Sequence, residues 1–300
     1  MSADYGRSLI RVHFELACSL MTGDRRLLAL SAVEHIDPAD VDSCIISWLP
    51  RWISGDTRII APFQGIQRWF DASRRKKTAE RQLVQLNPEY NDEELVSAKL
   101  RVLGIIFDRV VDFSSVIDRN EVRNRDASEQ WVNPVDASLC VCDPRDKHAI
   151  EAVSLCLVCG MGGTGISAAE DDLETHMANF QSYRKNGYVH EDRRKAETFE
   201  HRVKEPGNGN WYARFLSSFA HNRRTFRTEH GRYGLGSQAL ITGDVCCILL
   251  GSDVPFILRP VGSQGVYRLV GECYVHGVMR GEIVDMVANS TLMLEAVLLS

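Results

Sequence analysis

Three residues near the C-terminus have the types and spacing for proton chemistry: Glu272, Tyr274 and His276 alternate along the apolar run Val266–His276. Read as one strand, they share a face, with Gly271, Cys273 and Val275 on the other. A carboxylate, a phenol and an imidazole in a row suit proton transfer, which makes all three candidate catalytic residues. Glu272 and His276 would lie roughly 13 Å apart along a strand, too far for a direct dyad, leaving Tyr274 to bridge them. Arg259, on the neighbouring strand-like run Pro255–Arg259, is placed to pair with Glu272 or Glu282. The same row also reads as a polar strand face packing by hydrogen bonds against the N-terminal region, and this second reading is favoured. Asp244, just after Gly243, reads as a turn residue before a functional carboxylate.

Two further patterns invite chemistry. Cys140-x-Cys142 and Cys156-x-x-Cys159 could close a tetrahedral zinc site, but the second pair is set among apolar residues, so buried free thiols are the expectation and no metal is assigned. Gly160-Met161-Gly162-Gly163-Thr164-Gly165 fits a dinucleotide-binding pattern, where glycines let a pyrophosphate approach the backbone at a helix N-terminus. No strand with an acidic end follows about 20 residues later, as that fold requires. A plain glycine-rich loop is therefore expected, with no cofactor. Cys246 and Cys247 are adjacent on an expected strand and point to opposite faces, so they cannot serve one site. No Ser-x-x-Lys, Gly-x-Ser-x-Gly, His-Glu-x-x-His or Walker pattern supports a nucleophile or nucleotide class.

The elements that must position these residues are partly legible. Leu9, Val12, Leu16 and Leu20 recur at helical spacing and predict an amphipathic first helix, with His13 packed at its edge. Pro50 argues against a regular central element at Ile45–Trp52. Leu100–Asp108 reads as a strand, residues 118 to 148 as polar loop with short elements, and Lys147–Cys159 as apolar helix or strand. Ser167 and Glu170 form a capping box that predicts a helix from Ala168 to Arg184. Pro206–Asn210 breaks the chain, and Trp211, Phe215 and Phe219 at spacing i, i+4, i+8 predict another helix. Beyond Arg224, short apolar strands alternate with glycines, and Val245–Leu250 is apolar throughout, like a central strand covered on both sides. Two regions are expected, 1–205 and 211–300. The fold class is α+β, a mainly helical N-terminal part followed by a small antiparallel β-barrel or bent sheet.

The chain has 300 residues, 44% hydrophobic and 25% charged, with net charge −5. That is the composition of a globular protein with a sizeable core, and it gives no electrostatic case for nucleic acid or an anionic membrane. The basic run Arg74–Lys77 reads as a solvated loop. No apolar stretch approaches the roughly 20 residues of a membrane span, and Met1–Tyr5 lacks the features of a signal peptide. Nine cysteines without secretion signals indicate reduced thiols and a cytoplasmic location.

The segment Arg223–Thr228, Gly231–Gly236, Gly243-Asp244, Val254–Arg259, Leu269–Glu272, Tyr274–Met279 and Gly281-Glu282 resembles the C-terminal half of fungal heterokaryon-incompatibility (HET) proteins. A weaker resemblance covers the Asp4-Tyr5 start, the Trp48-x-Pro50-x-Trp52 element, Ala72-Ser73 and the strand from Gly104 to Asp108. The domain that names the family is expected before Asp4 and is not seen. The resemblance implies a setting in nonself recognition and programmed cell death, and a regulatory or partner-recognition role without catalysis. It implies a protein partner, with HET-domain proteins among the candidates. Gly234 and Gly236 would shape the backbone as turn residues, while Arg259, Glu272, Tyr274, His276 and Glu282 would make contacts. A competing expectation is a small-molecule enzyme of fungal secondary metabolism, a cyclase or isomerase, using the Glu272, Tyr274, His276 face.

Overall fold

Val245–Leu249 carries no polar side chain, and such a strand needs neighbours on both edges and cover on both faces. In the computed structural model it has both: all five residues are buried, and strands flank it on either side. The structure describes residues 8–22, 27–51, 59–61, 70–74, 82–83, 98–118, 122, 133–162, 172–186, 207–262, 265–289 and 291–300. The strands among them are β1 Gln82–Leu83, β2 Leu100–Phe113, β3 Arg223–Thr228, β4 Tyr233–Ser237, β5 Val245–Leu249, β6 Phe256–Pro260, β7 Val266–Glu272, β8 Tyr274–Val275 and β9 Glu295–Leu299. The described residues fall into two compact units. One holds those within 1–110, 237–273 and 277–300, the other those within 111–236 and 274–276.

The first unit is organised by a closed ring of five strands. β5 pairs with β6, β6 with β7, β7 with β9, β9 with β2, and β2 with β5. Closure leaves none of the five with an open edge for stray pairing. All pairings are antiparallel except β7 with β9, which is parallel. The antiparallel sheet expected from the sequence is thus mixed, because the helix Glu282–Ala288 lies between β8 and β9 and lets the chain return in the parallel sense. Two skips in register bend the ring, one at Phe107 between Ile106 and Asp108, the other where Ile257 faces Gly271 and Leu258 faces Leu269. Gly104 of β2 makes room for the crowded interior: a Cβ there would sit 2.9 Å from both Cys247 Sγ and Val297 Cγ2.

Short N-terminal helices belong to the same unit: Leu9–Thr22, Leu28–Ser31 and Pro38–Ser43. The first of these corrects the sequence reading of its faces. It buries Phe14, Ala17 and Met21, with the Phe14 ring 5.6 Å from that of Trp48. The stripe Leu9, Val12, Leu16 and Leu20 lies instead toward solvent. Helical spacing identifies an apolar face but cannot say which of two such faces the rest of the chain covers.

The second unit packs the helices Pro134–Ser138, Lys147–Leu157, Leu173–Asn186 and Gly209–Phe219 with β3, β4 and β8. The ambiguous run Lys147–Cys159 is a helix, started by Asp146, whose carboxylate accepts from the His148 and Ala149 amides. Asn208 caps the helix at Gly209 in the same way. That helix buries Tyr212, Ala213 and Leu216, while Trp211 and Phe215 stack on each other half-buried. Rings of Phe180 and Tyr183 lie 5.3 and 5.7 Å from that of Tyr212. The capping box at Ser167 and Glu170 lies outside the described residues.

Candidate functional site

Arg259 is the most heavily bonded side chain of the motif region. Antiparallel register sets Val245 of β5 opposite Leu258 of β6, which brings Asp244, one residue earlier, to Arg259, one residue later. Arg259 Nε donates to Asp244 Oδ1 at 2.9 Å and Nη2 to Oδ2 at 3.2 Å. Nη2 also donates to the Ala239 carbonyl at 2.8 Å, and Nη1 to the Pro38 carbonyl and to Asp42 Oδ1, each at 3.0 Å. Asp244 Oδ2 further accepts from the Ile241 amide at 2.9 Å. Arg259 is 6% exposed and Asp244 1%. Burial pushes the Asp244 carboxyl above its usual range, against the pull of the guanidinium. Arg268 of β7 works beside this pair, donating to the carbonyls of Val41 and Cys44 at 2.7 and 3.1 Å. Arg268 thereby holds the C-terminal end of the helix Pro38–Ser43, the end that favours a cation, while Arg259 reaches the carbonyl of its first residue, Pro38.

The expected pairing of Arg259 with Glu272 or Glu282 is therefore corrected: Arg259 takes Asp244 and Asp42 instead. Glu272, buried at the end of β7, accepts from the backbone amides of Ile60 and Ala61, the latter at 3.2 Å. Glu282 is exposed at the start of its helix and accepts from the Arg280 amide at 2.8 Å. Sequence spacing held no sign of the contacts at Pro38, Asp42 and Ile60, which lie more than 200 residues away along the chain.

The single strand face of Glu272, Tyr274 and His276 is also revised. β7 ends at Glu272, the Cys273 amide donates to the Pro255 carbonyl, and β8 begins at Tyr274. Glu272 belongs to the first unit, Tyr274 and His276 to the second. The strand breaks at Cys273, between β7 and β8, so the period of two is not carried by one regular strand from Glu272 to His276. Within the second unit β8 pairs with β4, Gly234 opposite Val275 and Leu235 opposite Tyr274. The His276 amide donates to the Tyr233 carbonyl at 3.0 Å, and its side chain is half-buried. Tyr274 is buried.

Gly234 and Gly236 lie inside β4 rather than in a turn. Gly234 is required for packing: a Cβ would fall 2.3 Å from Phe226 Cζ and 2.7 Å from the Tyr274 carbonyl oxygen. Gly160 meets the same tyrosine from another side. Its φ is +67°, and a Cβ would come 2.8 Å from Tyr274 Oη. The preceding residues explain the geometry. The Cys159 amide donates to the Cys156 carbonyl at 3.0 Å, and the Gly160 amide to the Leu155 carbonyl at 2.8 Å. This pair of bonds is the Schellman closure of a helix C-terminus, with Cys159 left-handed at φ 50°. The glycine pattern from Gly160 thus follows a helix, not the strand a dinucleotide loop needs. Cys156 and Cys159 are buried in that helix end, and Cys140 is exposed. Among the described residues no three His, Cys, Asp or Glu side chains gather where a metal could be held.

One polar cluster escaped the sequence reading. Ser154 Oγ lies 3.0 Å from His176 Nε2 and donates to the Glu151 carbonyl at 2.7 Å, while Tyr212 donates its hydroxyl to the Ser154 carbonyl at 2.8 Å. A serine beside a histidine is the start of a nucleophilic pair. Here Ser154 is fully buried, and burial lowers the His176 pKa to about 4, so the imidazole is neutral at ordinary pH. With no exposed hydroxyl to present to a substrate, the cluster ties three helices together.

Residues 166–294 match the family model described as the Het-6 beta-barrel domain. Over 65 residues the chain is 40% identical to heterokaryon incompatibility protein 6, OR allele, of Neurospora crassa, a segment covering 21% of this chain and 10% of that protein. The chain thus matches about a tenth of that relative's length. No solved structure matches the chain. On these matches the chain is a relative of the fungal heterokaryon-incompatibility proteins.

Proposed function

We propose that the chain is a non-catalytic regulatory or partner-recognition module of the heterokaryon-incompatibility type, acting in nonself recognition and the cell death that follows it. The observation that carries this reading is the fate of the motif's polar side chains. Arg259, Asp244 and Glu272 are buried and bonded to other parts of their own unit, so they serve as internal ties rather than reactive groups. A scaffold fixed this firmly presents a constant surface, which is what recognition needs. Of the five residues expected to make contacts, His276 is half-buried and Glu282 exposed, and these two are assigned to partner contact. The partner is a protein, with HET-domain proteins among the candidates.

A cytoplasmic setting fits this reading. All nine cysteines are free thiols, the state a reducing compartment maintains. Among the described residues no helix is long and apolar enough to cross a membrane. The test is native mass spectrometry of the tagged chain purified from a filamentous fungal host, run beside His276→Ala and Glu282→Ala proteins.

A further inference from the structure

Strand β3, Arg223–Thr228, holds three arginines and no acidic residue. Alternation puts Arg224 on one face and Arg223 and Arg227 on the other. The adjoining end of β2 alternates in the same way. Asp112 goes to the Arg227 side, with Oδ2 3.9 Å from Nη2, and Phe113 goes to the Arg224 side. There the guanidinium carbon of Arg224 lies 4.9 Å from the centre of the Phe113 ring. The carboxylate at this end of β2 is thereby turned away from Arg224. All four residues belong to the second unit.

Arg259 and Arg224 meet burial differently. At Arg259 burial lowers the pKa, but Asp244 and Asp42 outweigh it and leave the group raised. At Arg224 burial lowers the pKa and no neighbouring charge opposes it. Its Nε–H is closed off from solvent and has no acceptor among the described residues. A buried donor without an acceptor, on a charged group, destabilises a fold. The Phe113 ring attracts the cation through its face but leaves the N–H groups along the guanidinium edge unfilled. Arg224 is only half-buried, so the outer end of that edge, at Nη1 and Nη2, stays open to solvent. Stacking on the ring also fixes the plane of the guanidinium, which orients its fork before anything binds.

We propose that Arg224 is an anion-recognition residue: stacked on Phe113, it presents its outer nitrogens to an oxyanion, the carboxylate or phosphate group of a ligand. Two parallel N–H···O bonds to such a group match the geometry of the fork. The bound charge supplies the counter-ion that no described residue provides. The inference is independent of the recognition reading above, which assigns His276 and Glu282.

The test is thermal unfolding of the full chain titrated with inorganic phosphate, and separately with glutarate, at an ionic strength held constant with sodium chloride. The melting temperature of the wild type is expected to rise with added anion, as linkage requires of a ligand that binds the native state. A rise with either anion supports the site, and the anion giving the larger rise names the source, phosphoryl or carboxylate. Arg224→Met keeps an apolar side chain of similar length against Phe113 while removing the charge and the unfilled donor. It is expected to melt no lower than the wild type without added phosphate or glutarate, and to lose the rise. Arg224→Lys, which keeps the charge but not the fork, should need more of the same anion for the same rise. A wild type unmoved by both anions would overturn the proposal. So would an Arg224→Met protein that still responds like the wild type, or one that melts well below it without added anion, since Arg224 would then be an internal tie.

Discussion

Arg259 and Asp244, fifteen residues apart in the chain, meet through two nitrogens and two carboxylate oxygens at 2.9 and 3.2 Å. The bidentate match uses the planar fork of the guanidinium, which a lysine cannot reproduce. Breaking one side leaves a buried charge without its partner, so Arg259→Ala is expected to cost about 3–5 kcal/mol and Arg259→Lys to recover only part of it. Thermal unfolding checks this. An Arg259→Ala protein that melts like the wild type would return the residue to the surface role first expected of it.

Glu272 fastens a distant segment through the Ile60 and Ala61 amides. Glu272→Ala leaves those buried donors unsatisfied and should destabilise by about 1–3 kcal/mol. Hydrogen exchange gives a local reading: the Ile60 and Ala61 amides should lose protection in Glu272→Ala protein more than the amides of β5 do.

Gly160 is fixed by backbone and by a neighbour together. Gly160→Ala would bring a Cβ 2.8 Å from Tyr274 Oη at a positive φ, and should cost more than about 1 kcal/mol in urea unfolding. Removing the hydroxyl in Gly160→Ala, Tyr274→Phe leaves the ring carbons at 3.4 Å from that Cβ. The double variant should therefore be less damaged than the sum of the single ones, a coupling a double-mutant cycle measures.

His176 makes stability fall in mild acid. Burial lowers its pKa from 6.5 to about 4, so the unfolded chain binds its proton first. The stabilisation is complete above pH 6.5 and is lost as pH falls from there toward 4. By pH 5 this one residue should cost about 2 kcal/mol relative to neutral pH. Denaturant unfolding of wild-type and His176→Gln proteins at the two pH values checks it: the variant should show a correspondingly shallower dependence.

The strands were readable because their signals are local. Val245–Leu249 declares itself by uninterrupted apolar residues and Leu100–Phe113 by β-branched ones, and both are strands of the ring. The closure of that ring was not readable, because it joins β9 to β2, nearly 200 residues apart. The same limit hid the distant partners of Arg259 and Glu272, which are backbone groups and the Asp42 carboxylate in the first quarter of the chain. The row Glu272, Tyr274, His276 failed for a different reason. Alternation holds only while a strand stays regular, and the row is interrupted at Cys273, where β7 has ended and β8 has not begun. The first helix shows a third limit: two apolar stripes on one helix look equally core-like until the remainder of the fold covers one of them.

The central claim, that a rigid and non-catalytic scaffold presents His276 and Glu282 to a protein partner, is tested most directly by native mass spectrometry of the intact chain from a filamentous fungal host. The account predicts a stoichiometric protein partner that is lost from His276→Ala or Glu282→Ala protein while both variants melt like the wild type. A chain recovered without a protein partner, or a partner held equally by both variants, would contradict it.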